Sequence, residues 1–405
     1  MSTIMLLFKD IIYDARVKRE AIALAKGGYK LTIFCVKEFD LETPDLHENI
    51  EIVRHDMFNK QIKMTLNQKH NDKAYTNVIK RMVRTPLLKL SKDIAAYRLF
   101  YTKTVAMLKE KDVTVIHAHD LNTLSIGYYL SKQFRAKLIY DSHELYNEMA
   151  GRNNFEKRIG YMVEGKMLKH IDHLIVVNPF VQEEFENRYG KKPTTIIENI
   201  PETNGGLTTE AENKNYFREK FKLAEEDIIL LYQGGINPNR GIEECVEAVA
   251  QLPERFKFVI LGFGTLTNEL KELAVKLNLS SRVFFHEQVP SADILWYTKQ
   301  ADIGLVMYKS NSKNNYFSTP NKIYEYLLAG IPMVASDHPG KNFIINKYKI
   351  GLCIEEDVES IRKGILQLEK EYDMYAENCL INRKSISWTD EGNKLVTLYE
   401  SLFKA

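Results

Sequence analysis

The sequence contains few of the residues that would set it apart from an ordinary folded protein. Its 405 residues include 20 glycines and 11 prolines, too few for a collagen-like or low-complexity chain. It has only four cysteines, and they lie far apart, without the paired spacing of a zinc or iron–sulfur site. We therefore expect buried thiols in a reducing compartment at Cys35, Cys245, Cys353 and Cys379.

Signals for membrane insertion and export are also missing. No apolar run approaches the roughly 20 residues that a spanning helix needs. Residues 1–8 form an apolar, strand-like run without the basic start and the small-residue cleavage site of a signal peptide. The sequence therefore predicts a cytoplasmic protein that can be peripheral on the inner face of the cell membrane.

The net charge is small, but it is unevenly distributed. The whole chain carries +2, whereas residues 54–111 contain fourteen lysines or arginines and four acids, a net charge of +10. Within this segment, residues 77–90 interleave cationic and apolar side chains without stacking aromatics. This pattern favours an anionic membrane surface over nucleic acid as a partner. A phosphate-bearing acceptor and a solvated helix face remain alternatives.

Short apolar runs alternate with amphipathic, helix-length segments along the chain, as in parallel α/β proteins. The polar segment 201–215 separates two such series and is predicted to be a linker. We predict an α/β fold with two doubly wound, Rossmann-like domains, at 1–200 and 216–387, that face each other across a cleft. The remaining segment, 388–405, has helical apolar spacing and can cross back to the first domain.

The strongest local pattern in the second half is a helix that starts near residue 320. Ser318 or Thr319 can cap this helix, Pro320 suits its first position, and Gly330 with Pro332 ends it. A helix start of this kind presents free N–H groups and the positive end of the helix dipole, which suit a diphosphate.

Polar residues of the same helix add to this anion site. Asn321 lies at its start, Lys322 adds positive charge, and Glu325, one turn later, can accept two hydroxyl hydrogen bonds from a ribose. A capped helix with solvated Lys322 and Glu325 is the alternative.

Two glycine-rich turns follow predicted strands earlier in this half. Gly234 and Gly235 allow a ligand to approach the backbone, and Arg240 can bind a phosphate with two N–H groups. Gly262 begins a second turn that lacks the third glycine of a dinucleotide fingerprint, which disfavours a nicotinamide dehydrogenase. An ordinary surface loop is the alternative at both turns.

Two histidine-containing clusters, at 117–120 and 141–144, follow predicted strands of the first half. Because ligands of open α/β sheets bind at the carboxyl ends of strands, these clusters favour a polar ligand. Their spacing matches no zinc pattern, so no metal site is predicted. Packed, hydrogen-bonded histidines are the alternative.

These motifs resemble those of the retaining glycosyltransferases of family four, which have the GT-B fold and use nucleotide sugars. The resemblance covers nearly the whole chain, from residues 14–21 and 28–29 through both histidine clusters and Asn199 to 240–241 and 320–332. It is most specific at 320–332, which is similar to the pattern of members that build cell-surface polysaccharides.

The resemblance implies roles for individual residues. Glu325 would hold the nucleotide ribose, backbone N–H groups at 319–322 would hold the diphosphate, and Arg240 would neutralise it. His119 would lie near the transferred sugar and would form the catalytic group with Arg240 and Lys322. Arg16, at the tip of the first turn, would face the acceptor.

The resemblance also implies two sets of ligand-binding residues. The implied donor-binding residues are Gly234, Gly235, Arg240, Gly262, Ser318, Thr319, Pro320, Asn321, Lys322 and Glu325. The implied acceptor-binding residues are Asp14, Arg16, His143 and Glu144.

The implied reaction moves a hexose or N-acetylhexosamine from a nucleotide sugar, preferably a UDP-sugar, to a lipid-linked or surface-glycan acceptor. It uses no cofactor and no metal. The acceptor hydroxyl attacks on the face from which the nucleoside diphosphate leaves, and the leaving phosphate takes the proton. The protein then has to position the reactants and stabilise the charge of the leaving group.

Two positions depart from the family pattern. Phe317 stands eight residues before Glu325, where the family usually has a glutamate that binds the donor sugar, and Gly234 replaces a frequent second arginine. The departures leave a second hypothesis open, a non-catalytic GT-B subunit that binds nucleotide or membrane and supports a partner transferase. In an active enzyme, a nearby side chain would supply the missing hydrogen bond: Asn314, Asn315 or Tyr316.

Overall fold

The structure is a computed structural model, and it describes residues 2–57, 86–109, 111–202 and 215–403. The chain forms two α/β units. Unit 1 comprises the residues up to Ile197 together with those from Glu391 onward, and unit 2 comprises Glu198–Asp390. Most of the predicted linker, residues 203–214, lies outside the described residues.

Unit 1 is built on a parallel sheet of seven strands, in the order β3-β2-β1-β4-β5-β6-β7. The central strands are almost entirely buried and mostly apolar, as expected for a sheet that is covered on both faces. The strands are β1 (Ser2–Leu7), β2 (Lys30–Lys37), β3 (Ile50–Asp56), β4 (Val113–His119), β5 (Lys137–Ser142), β6 (His173–Val176) and β7 (Thr194–Ile196).

Five helices connect these strands within the described ranges. Helix α2 packs against α3, and α3 packs against α4. The helices are α1 (Ala15–Lys26), α2 (Pro86–Leu108), α3 (Leu121–Phe134), α4 (Asn154–Met167) and α5 (Pro179–Tyr189).

Unit 2 repeats this plan with six parallel strands, in the order β10-β9-β8-β11-β12-β13. Its apolar side chains form two buried clusters, one of them including Phe258 and Leu305 and the other including Leu231 and Tyr326. The strands are β8 (Ile228–Gln233), β9 (Phe256–Leu261), β10 (Val283–His286), β11 (Ile303–Val306), β12 (Met333–Ser336) and β13 (Gly351–Ile354).

The helices of unit 2 lie before, between and after these strands. They are α6 (Tyr216–Phe221), α7 (Ile242–Ala250), α8 (Thr267–Lys276), α9 (Ile294–Thr298), α10 (Lys313–Phe317), α11 (Asn321–Ala329), α12 (Pro339–Tyr348), α13 (Val358–Lys370) and α14 (Tyr372–Asn382). The last helix, α15 (Trp388–Ser401), ends on unit 1, where Tyr399 packs edge-on against Tyr29 with ring centroids 5.2 Å apart.

Both units have the strand order of a doubly wound sheet, which confirms the predicted fold class. In unit 1 the order reverses between β1 and β4, and in unit 2 it reverses between β8 and β11. Ligands of such sheets bind beyond the carboxyl ends of the strands at this reversal. The segments after β1, β4, β8 and β11 therefore matter most for function.

Candidate functional site

The loops that follow β8 and β9 in unit 2 pack so closely that only glycine fits between them. A Cβ atom on Gly262, where φ is +145°, would lie 2.0 Å from the carbonyl oxygen of Gly234. Gly241, at φ +64°, is similarly confined, because its Cβ would lie 2.5 Å from the carbonyl oxygen of Met307, directly after β11. Gly262 and Gly241 thus allow the loops at the reversal point to approach each other closely.

The start of helix α11 differs from the predicted capping. Pro320 itself is the N-cap, and no side chain caps the helix. The Thr319 hydroxyl instead donates to the carbonyl oxygen of Gly340 at 2.6 Å, and the Ser318 hydroxyl donates to that of Asn315 at 3.2 Å. The predicted cap by Ser318 or Thr319 is therefore wrong. A first turn without a side-chain cap keeps its N–H groups available to an anion.

Three cations surround the ring of Tyr308, which follows β11. Arg240 Cζ lies 4.3 Å from the ring centroid, Lys341 Nζ 4.9 Å and Lys322 Nζ 5.6 Å. Lys322 Nζ also lies 3.7 Å from the ring centroid of Tyr232. Within the described ranges, none of the three cations forms an ion pair with a carboxylate. The aromatic faces attract these cations, and the acids nearest to the two lysines, Glu325 for Lys322 and Glu356 for Lys341, favour their charge only from beyond ion-pair distance.

Both lysines of this group are held in an environment that disfavours their charge. Burial, followed by the repulsion of Arg240, lowers the pKa of Lys322 to about 7. The same two causes lower the pKa of Lys341 to about 7. A bound dianion would reverse this effect, because an opposite charge nearby favours the protonated lysine.

Lys341 was not predicted as a site residue. It is fully buried at the start of α12, and its ammonium group donates to the carbonyl oxygens of Asn315 and of Ser318, the latter at 3.2 Å. These bonds fix the segment that leads into α11. The nearby Pro339-Gly340 pair could have drawn attention to this position, since a Cβ on Gly340 would lie 2.2 Å from the carbonyl oxygen of Phe317.

Glu325 lies one turn into α11 and is joined to β8. Its carboxylate accepts a hydrogen bond from the side-chain amide of Gln233, whose oxygen accepts from the Thr298 hydroxyl at 2.9 Å. This chain of contacts orients a half-buried carboxylate beside the same helix start. At the first position of the helix, the Asn321 side chain accepts from the Asn199 amide at 2.7 Å.

The structure places the residues around Phe317 in an aromatic setting. The rings of Tyr316 and Phe317 are 5.1 Å apart, and Tyr316 also lies 5.1 Å from the ring of His338. Of the candidates for the missing hydrogen bond, Asn315 is buried, whereas Tyr316 is exposed.

In unit 1, the candidate residues meet at the carboxylate of Asp141, at the end of β5. The buried Arg16 guanidinium donates to Asp141 at 3.2 Å, to the carbonyl oxygen of Ile197 at 3.0 Å, and contacts Glu20 at 2.9 Å. Arg16 is thus covered, with 4% of its surface exposed, and does not lie at the tip of a turn. Glu20, which was not predicted as a site residue, is fully buried, and burial followed by repulsion from Asp141 raises its pKa to about 8.

Three histidine rings complete this cluster. His143 Nε2 lies 2.9 Å from Asp141 Oδ2 and 3.2 Å from His119 Nδ1, and the His119 ring stacks on His117 with centroids 4.3 Å apart. Burial opposes charge on His143, but Asp141 and Asp120 outweigh it and raise its pKa to about 9. Burial lowers the pKa of His119. Burial also lowers the pKa of His117. The cluster therefore holds one cationic histidine, His143, and two neutral ones.

The other acceptor candidates have different surroundings. Asp14 caps α1 by accepting from the Val17 amide at 2.9 Å and pairs with Lys9 at 2.7 Å. Burial acts to raise its pKa, but Lys9 and His143 lower it to about 2. Glu144 is exposed, and its carbonyl oxygen accepts from the Ser142 hydroxyl at 2.8 Å. Asp14 is thus built into the fold, whereas Glu144 faces solvent.

Four side chains of this cluster are metal-ligand types, which the sequence spacing did not suggest. Ligand atoms of Glu20, His117, His119 and Asp141 all lie within 4.8 Å of one another. The Arg16 guanidinium already contacts both carboxylates, and His143 contacts Asp141 as well. The donor set is therefore that of an ion-pair network that contains its own cations.

Comparison with known proteins places both halves of the chain in glycosyltransferase families. Residues 15–203 match the family model described as Glycosyltransferase Family 4, and residues 213–382 match the one described as Glycosyl transferases group 1. The alpha-monoglucosyldiacylglycerol synthase of Streptococcus pneumoniae is 22% identical over 267 residues, which cover 63% of this chain and 59% of that protein.

Solved structures with the same fold align over the whole chain. The sucrose-phosphate synthase of Thermosynechococcus elongatus superimposes with a TM-score of 0.77 at 19% identity, over 100% of both chains. Anabaena HepE in complex with UDP-glucose gives a TM-score of 0.71 at 17% identity, over 98% of this chain and 99% of that one. These neighbours share the GT-B architecture. In the described part of this chain, no helix is long and apolar enough to span a bilayer.

Proposed function

The chain belongs to the family-four glycosyltransferases of the GT-B fold, and on that premise we propose that it transfers a hexosyl or N-acetylhexosaminyl unit with retention. The donor is a UDP-sugar, and the acceptor is a lipid-linked or surface glycan on the cytoplasmic face of the membrane. UDP is favoured because HepE was solved with UDP-glucose. The observation that carries the proposal is the group of three cations beside the uncapped start of α11, none of which lies within ion-pair distance of a carboxylate in the described ranges.

In this proposal unit 2 binds the donor. The N–H groups at the start of α11 bind the diphosphate, and Arg240 and Lys322 neutralise its charge. Glu325 binds the ribose hydroxyls and is held in place by Gln233. Lys341 fixes the segment 315–318 through the carbonyl oxygens of Asn315 and Ser318, and its ammonium group adds positive charge beside Tyr308.

The chemical step needs no nucleophile from the protein. The acceptor hydroxyl oxygen forms a bond to the anomeric carbon, the bond from that carbon to the phosphate oxygen breaks, and the hydroxyl proton passes to the leaving phosphate. Negative charge grows on the diphosphate during this step, so preorganised cations lower the barrier. Arg240 and Lys322 are therefore the catalytic residues in unit 2, and no resident metal or cofactor takes part.

Unit 1 binds the acceptor. His119 lies near the transferred sugar, and the cationic His143, with 11% of its side chain exposed, offers the acceptor a charged N–H group. Arg16 and Asp14 position this surface through the Asp141 network and the start of α1. Glu144 is the exposed acid that contacts the acceptor directly.

Donor hydrolysis and transfer assays test the proposal. Arg240→Ala and Glu325→Ala should each lower donor affinity and activity, by roughly 10- to 100-fold as expected for the loss of a charged hydrogen bond. Lys276→Ala, at an exposed position on α8, is the matched control and should behave like the wild type. Unchanged donor binding in both site variants would contradict the site assignment.

The same assays test the alternative of a non-catalytic subunit. That alternative arises because Phe317, which packs against Tyr316, stands where the family usually has a glutamate that binds the donor sugar. A protein that binds UDP-sugar as predicted but neither hydrolyses nor transfers it would be the supporting subunit. A panel of UDP-, GDP- and ADP-sugars would identify the donor base.

A further inference from the structure

The outward surface of helices α2, α3 and α4 in unit 1 has an unusual charge composition. Among residues 90–108, 121–134 and 154–167 of these helices, two lysines are half-buried, Lys103 and Lys157, three residues are acids, and five cations are exposed: Lys92, Arg98, Lys132, Arg158 and Lys166. None of these acids is fully exposed, because Glu164 is buried and Asp93 and Glu156 are half-buried. An ordinary solvated helix surface intersperses both signs, as on α13, where Glu359 contacts Arg362 and Lys363.

Large apolar side chains are exposed on the same three helices. Ile94 of α2 is 56% exposed, Tyr129 of α3 57% and Met162 of α4 66%. In α4, Phe155 and Met162 are two turns apart and share one side of the helix with two cations, whereas Gly160, Glu164 and Met167 are buried on the other side. The two cations on the exposed side are Arg158 and Lys166.

The three helices are neighbours in one layer, since α2 packs against α3 and α3 against α4. Their outward sides therefore form a continuous surface, which we call the α2–α4 surface. It presents four apolar side chains among exposed cations: Ile94, Tyr129, Phe155 and Met162 with Arg98, Lys132, Arg158 and Lys166.

We propose that the α2–α4 surface binds the headgroup layer of a membrane that contains anionic lipid, with Phe155 and Met162 inserted between the headgroups. Cations that attract anionic headgroups and apolar residues that enter the interface are the two contributions that hold peripheral proteins on membranes. The proposal rests on this surface of unit 1 and not on the transfer reaction. It extends the membrane contact beyond the predicted basic segment, residues 54–111, of which 58–85 and Glu110 lie outside the described residues.

Vesicle sedimentation with the full chain tests this proposal. The wild type should sediment with vesicles of phosphatidylcholine and phosphatidylglycerol at low salt, far less with phosphatidylcholine alone, and less as salt rises. Arg158→Gln with Lys166→Gln should weaken binding to the anionic vesicles by roughly 30-fold, which corresponds to the loss of two surface cations. Met162→Ser should weaken it without changing its salt dependence.

A matched pair of substitutions on unit 2, Arg362→Gln with Lys363→Gln, removes the same charge from a helix with mixed signs and should leave vesicle binding unchanged. Equal binding by the α4 variants and the wild type would overturn the proposal and leave the basic segment as the sole contact. Tighter binding to a mixed-sequence RNA than to anionic vesicles would overturn it as well. UDP binding in solution should be the same in all these variants, so failure here is distinct from failure of the proposed transfer.

Discussion

In unit 1 the buried cations contact carboxylates, whereas in unit 2 three cations surround an aromatic ring. Arg16 and His143 both contact Asp141. In contrast, Arg240, Lys322 and Lys341 surround Tyr308, and no carboxylate of the described residues lies within ion-pair distance of any of them. The first arrangement contains its own counter-charges, although the Nε2 atoms of His117 and His119 have no hydrogen-bond partner in the described part of the chain. We propose that a bound anion completes the second. We therefore expect substitutions in unit 1 to reduce stability and those in unit 2 to reduce ligand affinity.

The largest effect is expected for Asp141→Asn. This change leaves the buried Arg16 and His143 without their shared carboxylate, and the loss of one partner of a buried ion pair destabilises proteins by about 3–5 kcal/mol. Urea unfolding should show this loss. Glu359→Gln, at an exposed ion pair on α13, should change the unfolding free energy by less than about 1 kcal/mol. Similar losses of unfolding free energy in the two variants would contradict the expected difference between the buried Asp141 network and the exposed ion pair of Glu359.

Lys322→Met should have the opposite profile. The fold disfavours the charge of this lysine, so its removal should leave the unfolding free energy unchanged or higher. UDP affinity should fall by roughly 10- to 100-fold, as for the loss of a charged hydrogen bond. Calorimetric titration with UDP and urea unfolding of the same preparation measure both effects. A variant that is destabilised but binds UDP normally would mean that Lys322 stabilises the fold and does not bind the ligand.

The two units should also respond to pH in opposite directions. The pKa of Glu20 is raised from 4.5 to about 8, so the folded state retains a proton that the unfolded state has lost, and stability should fall as pH rises across this range. The pKa of Lys322 is lowered from 10.5 to about 7, so the unfolded state binds the extra proton, and stability should rise as pH increases from 7 towards 10.5.

Two variants isolate these opposite dependences in urea unfolding at several pH values. Glu20→Gln imitates the protonated acid and should gain stability relative to the wild type as pH approaches 8. Lys322→Met should be more stable than the wild type below pH 7 and lose this advantage at higher pH. If the unfolding free energies of both variants and of the wild type changed with pH in parallel, the opposite charge effects inferred for Glu20 and Lys322 would be contradicted.

The smallest effect is expected for Tyr399→Phe. The Tyr399 hydroxyl lies 2.9 Å from His117 Nδ1 and links α15 to the histidine cluster of unit 1. Its removal should lower the unfolding free energy by about 1 kcal/mol, the net contribution of one hydrogen bond. A much larger loss would mean that α15 stabilises the cluster through more than this contact.

The sequence predicted the strands and the helix start at residue 320 because both depend on local patterns. Runs such as Ile228–Tyr232 are apolar and begin with β-branched residues, and Pro320 fixes its own backbone. Lys341, Glu20 and Tyr399 were missed because their roles depend on contacts between distant parts of the chain. Tyr399 and His117 are 282 positions apart, and Lys341 is 26 positions from Asn315. The capping prediction failed because Thr319 and Ser318 donate to carbonyl groups instead.

The central claim is that unit 2 binds a diphosphate between the start of α11 and the three cations around Tyr308. Calorimetric titration of the full chain with UDP, UMP and uridine tests it most directly. The account predicts that affinity falls steeply from UDP to UMP to uridine, and that rising salt weakens UDP binding but not uridine binding. Uridine binding as tight as UDP binding, or UDP binding that is insensitive to salt, would contradict the claim.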